Sequence, residues 1–148
     1  MAKLRVAVVG AGLLGSRHAR VFHEQPDAAT VAVVDVNTAR GESVAQKVGA
    51  RAYPDLATAL ADTTLDAVAV ATPDHLHRDP VLTALDAGKP VFMEKPLATT
   101  REDTQAIAER AAAPGAPIVM VNYSQRFVTD HAWLQAVIER GEKRAPVR

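Results

Sequence analysis

Apolar runs and helix-period stretches alternate along the whole chain. LRVAVVG at 4–10 predicts a strand, and the stretch from Leu13 to Gln25 predicts a helix. TVAVVDV at 30–36 predicts a second strand and 38–48 a second helix. ARAYP at 50–54 is a short third strand, and DLATALAD at 55–62 is a short helix with Asp55 as its N-cap. DAVAVAT at 66–72 is a fourth strand, and the helix from His77 to Ala87 is stopped by Gly88. KPVFME at 89–94 is a fifth strand, a helix over 100–113 ends at PGAP, and PIVMVNY at 117–123 is the sixth strand. The strands are continuous Val/Ala/Ile runs, as expected where helices cover both faces of a sheet. Strands separated by helices imply right-handed crossovers and parallel pairing. The predicted fold is a doubly wound α/β domain over 1–125.

The remainder, 126–148, has a different pattern. DHAWLQAVIERGEKRAPVR predicts a helix over 130–140, with Trp133, Leu134, Val137 and Ile138 on one stripe and Gly141 as its stop. Trp133 is expected to anchor this helix, and APVR reads as the start of another strand.

Composition narrows the function. The chain has 148 residues, 48% of them hydrophobic and 23% charged, which is a globular profile and not a disordered one. Its formal net charge of zero gives no electrostatic reason to expect nucleic acid or an anionic membrane as partner. No apolar run is long enough to span a bilayer. The start, MAKLRVAVVGAG, lacks an A-x-A-like cleavage site and is read as a strand, not a signal peptide. The absence of cysteine excludes a disulfide framework, Cys-ligated zinc and a thiol nucleophile, and favours a cytoplasmic address.

Gly10-Ala11-Gly12-Leu13-Leu14-Gly15 matches G-x-G-x-x-G between the first strand and the first helix, the context that dinucleotide binding requires. Gly10 permits the tight turn, Gly12 lets backbone approach a pyrophosphate, and Gly15 lets helix and sheet pack closely. Leu13 and Leu14 open the helix whose free N–H groups face the phosphates. Asp35 follows Gly15 by twenty residues, at the end of the second strand. A carboxylate there accepts ribose hydroxyls and repels a 2′-phosphate, so NAD is favoured over NADP. Asn37 and Thr38 are alternative caps for the next helix, and Arg40 is near enough to bear on the choice. A methyltransferase also uses a glycine loop with a downstream acid; a triphosphatase is disfavoured, since no G-x-x-x-x-G-K-[ST] loop is present.

In the strand order 3-2-1-4-5-6, ligands sit beyond the carboxyl ends of the strands. The fourth, fifth and sixth strands end in AVATPDHLH, FMEKPLA and VNYSQRF, side chains with chemistry instead of plain turn residues. Glu94, Lys95 and Pro96 are thus expected at the rim of a cofactor crevice and not inside the core. In order and spacing, GAGLLG, Asp35, ATPDHLH and EKPLA resemble the Gfo/Idh/MocA family of NAD(P)-dependent oxidoreductases, over about residues 3 to 127.

That resemblance implies a Rossmann domain, and a hydride transferred between nicotinamide and a hydroxyl carbon of a sugar, inositol or related polyol. It implies that Ala71, Thr72 and Pro73 line the nicotinamide side, that His77 matches the family histidine, and that Glu94 and Lys95 stand by the nicotinamide ribose and substrate. It further implies a cis Lys95–Pro96 bond and substrate-side or interdomain roles for Asn122 and Arg126. Lys95 is the catalytic candidate: a cation beside oxidised nicotinamide feels like-charge repulsion and gives up its proton more readily. His75 and His77 form an H-x-H pair with Asp74 and Asp79 nearby, but two positions apart in a loop without a third ligand is no metal site. His18 and His23 are read as surface or packing residues of the first helix.

Family members carry a second α/β domain that forms the substrate pocket and the oligomer interface. Residues 126–148 are expected to be the junction helix and the truncated start of that domain, with the full-length form a homo-oligomer. The expected activity of the chain is cofactor binding with little turnover. A stand-alone NAD-sensing module is the alternative.

Overall fold

The computed structural model describes residues 2–141. Six parallel strands form one sheet in the order β3-β2-β1-β4-β5-β6. They are β1 (Leu4–Val9), β2 (Ala28–Val34), β3 (Arg51–Tyr53), β4 (Ala67–Val70), β5 (Val91–Glu94) and β6 (Val119–Asn122). The helices between them are α1 (Leu13–Glu24), α2 (Thr38–Lys47), α3 (Leu56–Asp62), α4 (Arg78–Asp86) and α5 (Arg101–Ala111), and α6 (Thr129–Glu139) follows β6. The predicted order and topology are those observed. The strand start at APVR lies outside the described residues.

Local chemistry sets most boundaries. Asp55 caps α3 by accepting a hydrogen bond from the Thr58 N–H at 2.8 Å, and Thr100 caps α5 through the Asp103 N–H. Gly88 and Gly141 follow their helices at φ 69° and 68°. One boundary differs from expectation: β2 begins and ends two residues early, at Ala28 and Val34. Ala28 and Ala29 pair with Leu4 and Arg5, while the Asp35 side chain turns into a loop and Val36 is 90% exposed. A short 3-10 turn, Asp74–Leu76, also precedes α4.

Alternate positions of each strand feed two cores. Val9, Val34, Val70, Val91 and Met93 pack with Val81 and Leu85 of α4 and Ile107 of α5 on one face. Val6, Val8, Val33 and Ala69 pack with Ala19 of α1 and with Val44 and Ala45 of α2 on the other, where Phe22 and Phe92 also lie. Burying a side chain such as Leu85 or Met93 contributes about 1.5–3 kcal/mol. The expected stripe of α6 is mostly uncovered: Val137 is buried, but Trp133, Leu134 and Ile138 are exposed. Among the described residues no helix is long and apolar enough to cross a membrane.

Candidate functional site

The carboxyl ends of β1, β4, β5 and β6 converge on one edge of the sheet, and the glycine loop crosses that edge. Gly10 has φ +93°, and a Cβ on it would stand 2.6 Å from the Ala71 carbonyl oxygen. A Cβ on Gly15 would overlap the Gly10 carbonyl. The fold itself therefore requires both glycines. Gly12 is different: its backbone is extended (φ −71°, ψ −164°), and a Cβ there would meet nothing within 4 Å. Packing does not explain this glycine, and the open N-terminus of α1 beside it leaves room for a ligand to approach. No side chain caps that terminus, its first turn has no acid, and Leu13 beside it is 87% exposed while Leu14 is 44% exposed.

Asp35 stands just past β2 with its carboxylate almost fully buried. Oδ2 accepts the Ala11 N–H at 2.7 Å and Oδ1 the Asn37 N–H at 2.8 Å. Arg40 grips the same group with two donors, Nε to Oδ2 at 3.0 Å and Nη2 to Oδ1 at 2.8 Å. Asn37 also caps α2 by accepting the Arg40 N–H. Asp35 thus ties the glycine loop to the start of α2. Burial alone would raise its pKa, but the Arg40 guanidinium and the Ala11 and Asn37 N–H groups outweigh that and hold it below the ordinary carboxylate value. A cavity of about 530 Å3 opens beside it, lined by Gly10, Val36, Arg40, Thr72, Pro73 and Leu76 among others.

At the end of β4 the Ala71 N–H donates to Val9. Thr72 and Pro73 enter the cavity wall, and His77 is completely buried. Its Nδ1 is 2.8 Å from the Pro96 carbonyl oxygen and its Nε2 is 3.1 Å from that of Thr72. The imidazole therefore links the loop after β4 to the loop after β5, and its ring faces backbone instead of open cavity.

Glu94 ends β5, and it is only 7% exposed. The expectation that the charges at this strand end avoid the core therefore holds for Lys95, which is exposed, but not for Glu94, which as the last residue of β5 is buried beneath α1. An unpaired carboxylate in that position would be costly. Two side chains compensate, both on Oε1: His18 Nε2 at 2.7 Å and Asn122 Nδ2 at 2.9 Å. Burial pushes the Glu94 carboxyl up, but the bonds from Asn122 and His18, the charge of a protonated His18 and the Lys95 N–H hold it below its ordinary value. The Lys95–Pro96 bond is cis, as the resemblance implied.

His18, read from sequence as a surface or packing residue, belongs to this cluster. A signal was present: it lies three residues past Gly15, with Phe22 one turn further on the same helix face. His23 and His75 are exposed. Asn122 reaches Glu94, whereas Arg126 lies exposed in the 3-10 turn Ser124–Phe127, outside the cluster.

Residues 4–123 match the Gfo/Idh/MocA model, an oxidoreductase family with an NAD-binding Rossmann fold. Inositol 2-dehydrogenase 2 of Mycolicibacterium vanbaalenii is 38% identical over 99% of this chain and 44% of its own. Myo-inositol dehydrogenase of Lactobacillus casei, solved with NAD(H) and myo-inositol, superposes with a TM-score of 0.89 at 30% identity, over 98% of this chain and 44% of that one. The WlbA dehydrogenase of Chromobacterium violaceum, solved with NADH and UDP-GlcNAcA, gives a TM-score of 0.88 at 27% identity, over 95% of this chain and 41% of that one. The chain thus spans less than half the length of these relatives.

Proposed function

The chain belongs to the Gfo/Idh/MocA oxidoreductase family, and from that premise we propose that it is the cofactor-binding domain of an NAD-dependent dehydrogenase of inositols or related polyols. The observation that carries the cofactor is Gly12, a glycine the fold does not need, at an open helix N-terminus beside the buried Asp35 carboxylate. The inositol dehydrogenases among its relatives support the substrate class. Nothing favours the sensor alternative.

The residues fit such a cofactor. The N–H groups at the start of α1 would take the pyrophosphate, and Asp35 the adenosine ribose, with Val36 and Leu76 offering apolar wall to the adenine. Ala71, Thr72 and Pro73 would run along the nicotinamide side, with Glu94 and Asn122 at its ribose; His77 would hold their loops together from behind. NAD, when bound, supplies the hydride acceptor. Lys95 is exposed at the rim, where its amine would accept the hydroxyl proton of the substrate as the carbinol carbon loses hydride. The absence of cysteine supports a cytoplasmic address, and the uncovered side of α6 supports burial against further chain in a full-length homo-oligomer.

Titration with NADH and NADPH, followed by nicotinamide fluorescence, tests the cofactor. Asp35 predicts tighter binding of NADH. Equal or tighter binding of NADPH would mean that Arg40 leaves Asp35 for the 2′-phosphate, and the NAD assignment would fall. Polyol-dependent NADH production by the full-length protein tests the reaction.

A further inference from the structure

His18 has no part in the function described so far, yet it is built into the site with more constraint than packing demands. Its Nε2 lies 2.7 Å from Glu94 Oε1, with 15% of the His18 side chain and 10% of the Glu94 side chain exposed. The ring is held edge-on to Phe92, with centroids 5.2 Å apart and planes at 86°. Phe92 and Glu94 are alternate residues of β5, so both project from the face that α1 covers. The imidazole is seated between the ring and the acid of a single strand.

Two alternatives explain less. His18 is not needed merely to fix α1, since Gly15 packs against the glycine loop and Thr30 Oγ1 donates to the Ala19 carbonyl one residue further on. An apolar side chain would serve packing as well, because the surrounding cluster includes Phe22, Phe92 and Ala19. What an apolar side chain would not do is donate to a nearly buried carboxylate. The same carboxylate oxygen also accepts from Asn122, the register partner of Glu94 in β6. A single oxygen therefore joins α1, β5 and β6 at the carboxyl edge.

The next residue is Lys95, and the one after it, Pro96, has its carbonyl held by His77. Both neighbours of Lys95 in the chain are held by a histidine, Glu94 through its side-chain carboxylate by His18 of α1 and Pro96 through its carbonyl by His77, just before α4. We propose that His18 is a positioning residue of the nicotinamide end of the site: it sets the Glu94 carboxylate and, through it, Lys95, without contributing to the adenosine half. This rests on the assignment of the cofactor site made above.

The test compares NADH with ADP-ribose, which shares the adenosine and pyrophosphate but lacks nicotinamide, on the wild type and on His18→Leu and His18→Gln. The Leu side chain cannot donate, whereas the Gln amide nitrogen reaches roughly where Nε2 stands. The hydrogen bond at stake is to a charged group, so the Leu variant is expected to weaken NADH about tenfold and to move bound-NADH emission toward that of free NADH, while ADP-ribose changes less than about twofold. His18→Gln is expected to recover most of both signals. A purely structural histidine would instead weaken both ligands alike, or lower only the melting temperature. Either result, or NADH binding by the Leu variant equal to that of the wild type, overturns the proposal.

Should the Leu variant fold poorly, Glu94→Gln removes the buried charge. In that background His18→Leu is expected to cost less than about twofold in NADH affinity, because little is left for it to position. An undiminished cost would again overturn the role. Failure of the wild type to bind either ligand is a separate outcome, which removes the cofactor site itself and this role with it.

Discussion

Gly10 and Gly12 of the G-x-G-x-x-G loop are expected to differ in duty, one serving the fold and the other a ligand, and single alanine substitutions separate them. In Gly10→Ala the new methyl would stand 2.6 Å from the Ala71 carbonyl oxygen at φ +93°. Forcing a side chain into such a backbone region costs about 1–3 kcal/mol, and overlap with strand backbone that cannot move away adds to it. A loss near 3 kcal/mol lowers the melting temperature of a domain this size by roughly 6–12 °C. In Gly12→Ala the backbone suits any L residue, and the methyl meets nothing within 4 Å. Alanine is a poorer N-cap than glycine by up to about 1 kcal/mol, and lower unfolded-state entropy returns about 0.4–1 kcal/mol. The melting temperature is then expected to stay within about 3 °C of the wild type. NADH affinity is expected to fall roughly ten- to a hundredfold, the loss of one charge-assisted hydrogen bond of about 1.5–3 kcal/mol to the pyrophosphate. Thermal unfolding with and without NADH reads both quantities. At a hundred times Kd the wild type gains about 2.7 kcal/mol from ligand, and Gly12→Ala at that concentration gains much less. If Gly12→Ala melted as low as Gly10→Ala, or kept wild-type NADH affinity, the argument that this glycine serves a ligand and not the fold would be refuted.

Replacing Asp35 with Asn removes the charge that Arg40 grips; NADH binding is expected to weaken about tenfold and the preference over NADPH to shrink, as paired titrations would show. The carboxyls of Asp35 and Glu94 lie below their ordinary values of 3.8 and 4.5, so the unfolded chain takes up protons first as pH falls. The stability they provide is complete above those values and drains below them; urea unfolding between about pH 6 and 3 should show it, with a flatter profile in Glu94→Gln. Lys95→Ala in the full-length protein is expected to leave stability within about 0.5 kcal/mol and to lower polyol-dependent turnover about 10²–10⁴-fold, a split that steady-state kinetics and melting together would check.

Much of this protein is written in local patterns. Continuous Val/Ala runs determined parallel strands buried on both faces, and the Asp55 and Thr100 caps were legible because a cap is satisfied within three residues of its own chain. The G-x-G-x-x-G loop, Asp35 and the Glu94-Lys95-Pro96 strand end were legible too, since topology places strand ends on one edge regardless of their sequence separation. The buried pairings were not. His18 and Glu94 are 76 positions apart, and only the packing of α1 across β5 brings them within 2.7 Å. Arg40 was visible as a neighbour of Asp35, but its two-donor grip depends on how α2 leaves its Asn37 cap. The α6 stripe shows the limit from the other side. Its spacing made an amphipathic helix, yet spacing says only that an apolar face exists, and tertiary structure decided that Val137 alone of the four is buried. Periodicity and turn chemistry act between near neighbours, and the chain records them directly. Burial, charge compensation and the aim of a side chain depend on which elements meet, and that is settled only when the sheet closes its two layers.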